Sequence, residues 1–142
     1  MNKLLPAALS VFLAGAGASA AQDSQALLAM GVYVPTDEIA LSVQFYRTLF
    51  DRAPVIELPD FVAFDISGGW FAIVSRAKYA PGSVPGTGAV PYMQSGDLAA
   101  LQGRAKKAGV SAPQIIEEPG IRLLKIADPN GQLIEFFSLV GQ

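Results

Sequence analysis

Asp128-Pro129-Asn130-Gly131-Gln132-Leu133-Ile134-Glu135-Phe136-Phe137 joins a tight turn to an apolar strand that carries one carboxylate. Pro129 presets φ, and Asn130 and Gly131 tolerate positive φ, so the first four residues read as a turn. Asp128 reads as structural, its side chain accepting backbone amides within that turn. Leu133 to Leu139 reads as a strand. Alternation puts Leu133, Glu135, Phe137 and Leu139 on one face and Ile134, Phe136 and Ser138 on the other. A carboxylate inside a buried strand is costly unless something binds it. What Glu135 faces is therefore the central question. The plain answer is a rim carboxylate, solvated or ion-paired.

Outward from this stretch, the preceding chain reads as Ile121 to Ala127, a strand, behind a Pro119-Gly120 turn. Pro113 to Glu117 is a strand of mixed character. Leu98, Leu101, Ala105 and Ala108 recur at helical spacing between an N-cap at Asp97 and a C-cap at Gly109. Ala89 to Ser95 is a strand whose Pro91 lacks an amide donor and so belongs at an edge or a bulge. This half runs strand, helix, strand, strand, strand.

The first half repeats the order. Leu27 to Val34 is a strand ended by Pro35-Thr36-Asp37, with Thr36 or Asp37 capping a helix from Glu38 to Phe50. Ile39, Val43, Tyr46 and Phe50 mark its apolar face, and Pro54 bars its continuation. Val55 to Leu58, Phe61 to Ile66 and Trp70 to Ser75 are strands, the last two joined at Ser67-Gly68-Gly69. Lys78 to Gly88, rich in Pro and Gly, is a loop within one domain, because neither half alone buries enough surface. The expectation is an α+β domain over 26–140, built of two βαβββ modules at about 27–76 and 89–140 that form a curved mixed sheet.

The chain has 142 residues, 51% hydrophobic, with a net charge of −2 and no basic run, which argues against a nucleic-acid partner. It contains no cysteine and no histidine. That removes thiolate chemistry, the commonest metal ligand, and the usual general base near neutral pH. At the N-terminus, Lys3 precedes an apolar run from Leu4 to Gly17, and Ala18-Ser19-Ala20 places small residues where a signal peptidase cuts. Residues 1–20 therefore read as a secretory signal peptide, and the mature protein as periplasmic or secreted. The apolar run is short for a span of ~20 residues, so no stable membrane span is expected after cleavage.

Val34-Pro35-Thr36-Asp37 followed by Ser42-Val43-Gln44-Phe45-Tyr46-Arg47-Thr48-Leu49-Phe50 resembles the opening of the vicinal oxygen chelate superfamily, which includes glyoxalase I, extradiol dioxygenases and the fosfomycin- and bleomycin-resistance proteins. Asp128-Pro129-Asn130-Gly131-Gln132-Leu133-Ile134-Glu135 resembles its closing segment. The Asp97-Leu98 helix start and the Gly109 cap fit its second module. The resemblance covers about Ala26 to Val140. It implies the glyoxalase/bleomycin-resistance-like fold, in which the sheets curve into a cup. In the enzymes, that cup holds a divalent metal on ligands from the first and last strands of each module. Glu135 matches the closing carboxylate. The first-strand positions fall near Met30 or Gly31 and near Val90 or Pro91, none of which ligates through its side chain, and the last strand of the first module offers only Ser75. Gln94 is the further oxygen donor placed to share the cup. No catalytic metal or other cofactor is expected from this donor supply, a divalent metal being the alternative.

Other residues have two readings each. Trp70 is either a ligand-stacking wall or a core or rim aromatic. Tyr33 lines the cup or packs in the core, as do Phe64, Tyr92 and Phe137. Arg122 binds an anionic ligand, pairs with Glu135 or Glu117, or is a surface arginine. Three functions follow. The first is an exported protein binding a small apolar or aromatic molecule in the cup without metal, through Glu135, Gln94, Trp70, Tyr33, Arg122 and Phe137. The second is a metal-dependent glyoxalase-type lyase or dioxygenase. The third is a non-catalytic structural or interaction module. A homodimer is expected in each case, as is common among these proteins.

Overall fold

The computed structural model describes residues 27–141, so the expected signal peptide lies outside the described residues. The first half holds β1 (Gly31–Thr36), α1 (Ile39–Phe50), β2 (Ile56–Leu58), β3 (Phe61–Ile66) and β4 (Gly69–Ser75), and a short helix α2 (Arg76–Tyr79) follows. The second half holds β5 (Tyr92–Gln94), α3 (Leu98–Lys107), β6 (Ile115–Glu118), β7 (Ile121–Ala127) and β8 (Leu133–Leu139). Each half is a βαβββ unit, and each forms a four-stranded sheet: β1-β4-β3-β2 and β5-β8-β7-β6. The first strand of each unit pairs parallel with the last, and the other pairs are antiparallel. The α+β architecture of paired modules expected from the repeat is the one observed.

One core serves both halves. Phe45, Tyr46, Leu49 and Phe50 of α1 meet Leu98, Leu101 and Ala105 of α3 in the same cluster as Val34, Phe64, Phe71, Ile73, Leu124, Ile126, Ile134 and Phe136 from both sheets. Each sheet thus turns one face to the helices. The opposite, helix-free faces carry the alternate residues of every strand.

Several boundaries differ from those expected. β1 begins at Gly31 and runs on through Pro35 to Thr36. Pro35 is tolerated because β1 is an edge strand and needs no donor on its outer side. Likewise β5, with Pro91 just before it, is short and lies at the edge of its sheet. The N-cap of α1 is Glu38 rather than Thr36 or Asp37, and no side chain caps it. Thr36 instead accepts the Glu38 amide at 3.0 Å. The buried stripe of α1 is Ser42, Phe45, Tyr46, Leu49 and Phe50, rotated from the expected one because Ser42 is buried despite its hydroxyl. The helix ends at Phe50, ahead of Pro54, with Asp51 in the left-handed region. Asp97 caps α3 as expected, accepting the Ala100 amide at 2.9 Å. Past its end, Gly109 N–H reaches the Lys106 carbonyl and Val110 N–H the Ala105 carbonyl. This Schellman closure needs the positive φ of 103° that Gly109 supplies.

The two halves are joined by a buried polar network. The Asp128 carboxylate accepts the Asn130 and Gln132 amides through Oδ1, at 2.8 and 2.9 Å. Its Oδ2 accepts the Tyr46 hydroxyl at 2.8 Å. Asn130 Nδ2 donates to Ser42 Oγ at 2.9 Å, Ser42 Oγ donates to Thr36 Oγ1 at 2.9 Å, and Thr36 Oγ1 donates to Asn130 Oδ1 at 3.0 Å. The turn that opens β8 is thereby docked on α1 and the end of β1.

Candidate functional site: the helix-free faces

On the first sheet the helix-free face is set by register. Gly31, Trp70 and Asp65 form one rung, Tyr33, Ala72, Ala63 and Ile56 the next, and Pro35, Val74, Phe61 and Leu58 the third. Ala63, Ala72 and Val74 are buried in a small cluster of their own, flanked by Ile56 and Phe61. Small residues thus make an apolar floor, with Tyr33 and Trp70 standing on it, 52% and 45% exposed. Gly31 is what lets Trp70 stand there: a Cβ at Gly31 would lie 3.3 Å from Trp70 Cβ and 3.0 Å from its carbonyl oxygen.

On the second sheet, Tyr92, Glu135 and Lys125 share a rung, and Gln94, Phe137, Leu123 and Ile116 share the next. The neighbours Ile134 and Phe136 are buried on the helix side, so Glu135 faces away from the core. Its carboxylate is not alone: Lys125 Nζ lies 3.1 Å from Oε2, the lysine half-exposed and the glutamate side chain 18% exposed. Tyr92 and Phe137 stack with centroids 4.3 Å apart and planes 10° from parallel.

A cavity of about 440 Å³ opens where the two sheets meet, lined by Met30, Trp70, Phe71, Pro91, Tyr92 and Met93 among others. Two of the sequence candidates fare differently here. Trp70 is at the cavity wall, and Glu135 is not among the lining residues. It lies one strand further in, opposite Tyr92, about 5 Å away across the ladder. We place the site at Tyr92, which lines the cavity and is paired across the ladder with Glu135.

The remaining candidates are also placed. Gln94 is exposed on the same face as Tyr92. Tyr33 is on the first sheet's helix-free face and Phe137 on the second's. Arg122 pairs with Glu117 at 2.8 Å and lies on the opposite face of β7 from Lys125. Phe64 is fully buried core. Lys125 is the site residue that sequence reasoning passed over, and Tyr92, read there as lining the cup or packing in the core, is exposed. Tyr92 follows Pro91 in a strand read as irregular. Lys125 was legible only once the β7–β8 register placed it opposite Glu135.

Held in that site, a divalent metal would need three or four oxygen or nitrogen ligands from protein. Among the described residues, no three acidic side chains converge to hold one. The whole chain has no histidine or cysteine. Glu135, the one carboxylate at a family-matched ligand position, already has an ammonium against it. The donor set does not fit a catalytic metal.

Comparison with known proteins adds the following. No family model matches the sequence, and no curated protein matches it. Solved structures do. The glyoxalase/bleomycin resistance protein from Catenulispora acidiphila DSM 44928 superposes with a TM-score of 0.65 at 23% identity, over 80% of this chain and 99% of that one. Lactoylglutathione lyase from Agrobacterium tumefaciens gives 0.60 at 20% identity, over 80% and 93%. The fold is the glyoxalase/bleomycin-resistance fold. A glyoxalase-related enzyme from Fulvimarina pelagi shares it as well, with a TM-score of 0.63 at 21% identity over 80% of this chain and 88% of its own. Within that fold, Glu135, at the position the resemblance gives to the closing carboxylate, lies 3.1 Å from Lys125.

Proposed function

We propose that this chain is an exported member of the vicinal oxygen chelate superfamily that binds a small, largely apolar or aromatic molecule on its helix-free faces, without a catalytic metal. The observation that carries the reading is the combination of exposed Trp70 and Tyr92 at an apolar cavity, Tyr33 exposed on the first sheet's helix-free face, and a carboxylate already paired with Lys125. Exposed aromatics in a concave apolar site stack flat ligands at little entropic cost. Export rests on the Lys3, Leu4–Gly17 and Ala18-Ser19-Ala20 pattern. A homodimer would cover more of the apolar surface than one copy does. A thermal-shift screen of the mature protein across hydrophobic compound classes tests the reading. It predicts stabilisation by planar aromatics, and the absence of any response would count against it.

A further inference from the structure

The rung Tyr92–Glu135–Lys125 carries more than an apolar surface does. Glu135 and Lys125 are directly opposed on antiparallel strands and present an acceptor and a donor side by side. Their 3.1 Å contact engages one carboxylate oxygen, Oε2. A carboxylate has about four acceptor sites and an ammonium three N–H groups, so each partner keeps hydrogen-bonding capacity beyond the pair. Beside them, Tyr92 is 56% exposed, with one ring face stacked on Phe137. The ring's other face is the natural shelf for a flat molecule, and Tyr92 also lines the cavity that Trp70 bounds.

We infer that this rung recognises a planar aromatic molecule bearing a lactam edge, an N–H and a C=O on adjacent ring atoms. The ring lies on Tyr92, the N–H donates to the Glu135 carboxylate, and the C=O accepts from Lys125. This rests on the proposed small-molecule binding and names the ligand class for it. The pairing is selective because each group meets its complement. A plain arene would cover the ion pair without bonding to it and so pay for its desolvation. A free carboxylate would meet Glu135 with like charge, and a bare amine would leave Lys125 without an acceptor.

The test is isothermal titration of the mature protein with three matched probes: quinolin-2-one, its N-methyl derivative, and naphthalene. All are flat bicycles, but only the first has both the donor and the acceptor. Quinolin-2-one should bind about tenfold or more tighter than the other two, the worth of one charge-assisted hydrogen bond. In Lys125→Met and Glu135→Gln the preference should shrink to about threefold or less. Equal affinities for the three probes in the wild-type protein would overturn the lactam assignment and leave aromatic binding standing. A preference that survives both substitutions would move the recognition away from this rung and overturn it too. No binding of any probe would overturn both this inference and the reading beneath it. The wild-type probe comparison decides the matter even if a variant fails to fold.

Discussion

Tyr46 donates its hydroxyl to Asp128 across 82 positions of sequence, at 2.8 Å and with both residues buried. This bond ties the middle of α1 to the turn that opens β8, and so fixes one module against the other. The helix-free faces keep their relative placement because the helix-side core and this network hold them from behind.

Removing the Tyr46 hydroxyl should therefore destabilise the whole domain rather than one module. Tyr46→Phe leaves Asp128 Oδ2 buried without its donor and should cost about 2 kcal/mol. Asp128→Ala also orphans two turn amides and should cost about 3–4 kcal/mol. Asp128→Asn keeps an oxygen for the turn and should be the mildest of the three. Urea denaturation with a single coincident transition by two probes checks the order, and separate transitions for the two halves would count against the network's role.

The same bond has a signature in alkali. Burial, and then the neighbouring charge and hydrogen bond of Asp128, hold the Tyr46 phenol far above its ordinary pKa. The folded protein thus keeps a proton that the unfolded chain releases above pH about 10. Stability is unaffected by this group below that pH and falls as pH rises beyond it, by up to about 1.4 kcal/mol per unit. The difference in unfolding free energy between wild type and Tyr46→Phe should shrink between pH 9 and 11. A constant difference across that range would contradict the assignment.

Much of the fold was legible because its signals are local. Asp97 and Gly109 announced α3, and alternation in Leu133 to Leu139 gave the faces of β8 correctly. The stripe of α1 was not, since Ser42 reads as a solvent residue until Thr36 and Asn130 are seen to satisfy it. The site shows the same limit. Glu135 stood out as a carboxylate in an apolar strand, but its partner comes from register between β7 and β8, and spacing within one strand cannot supply that. Arg76 is similar: its guanidinium bridges Asp37, the Pro35 carbonyl and Ser83, three contacts joined by folding alone.

Export makes its own prediction. The protein recovered from the envelope or medium of an expressing cell should begin at Ala21, read by N-terminal sequencing. Retention of residues 1–20 in the cytoplasmic fraction would contradict it.

Metal content is decided by ligand supply. Protein purified without a histidine tag should carry well under one equivalent of nickel, zinc, iron or manganese by elemental analysis. A stoichiometric ion would restore the glyoxalase-type alternative.

The central claim is that the helix-free surface takes a flat apolar guest with no ion to help it. Trp70 is the only tryptophan in the chain and stands on that surface, so its fluorescence reports directly. Titrating the mature protein with naphthalene in excess EDTA should give saturable quenching of Trp70 emission. Emission unmoved by the arene, or moved only after a divalent metal is added back, would contradict the account.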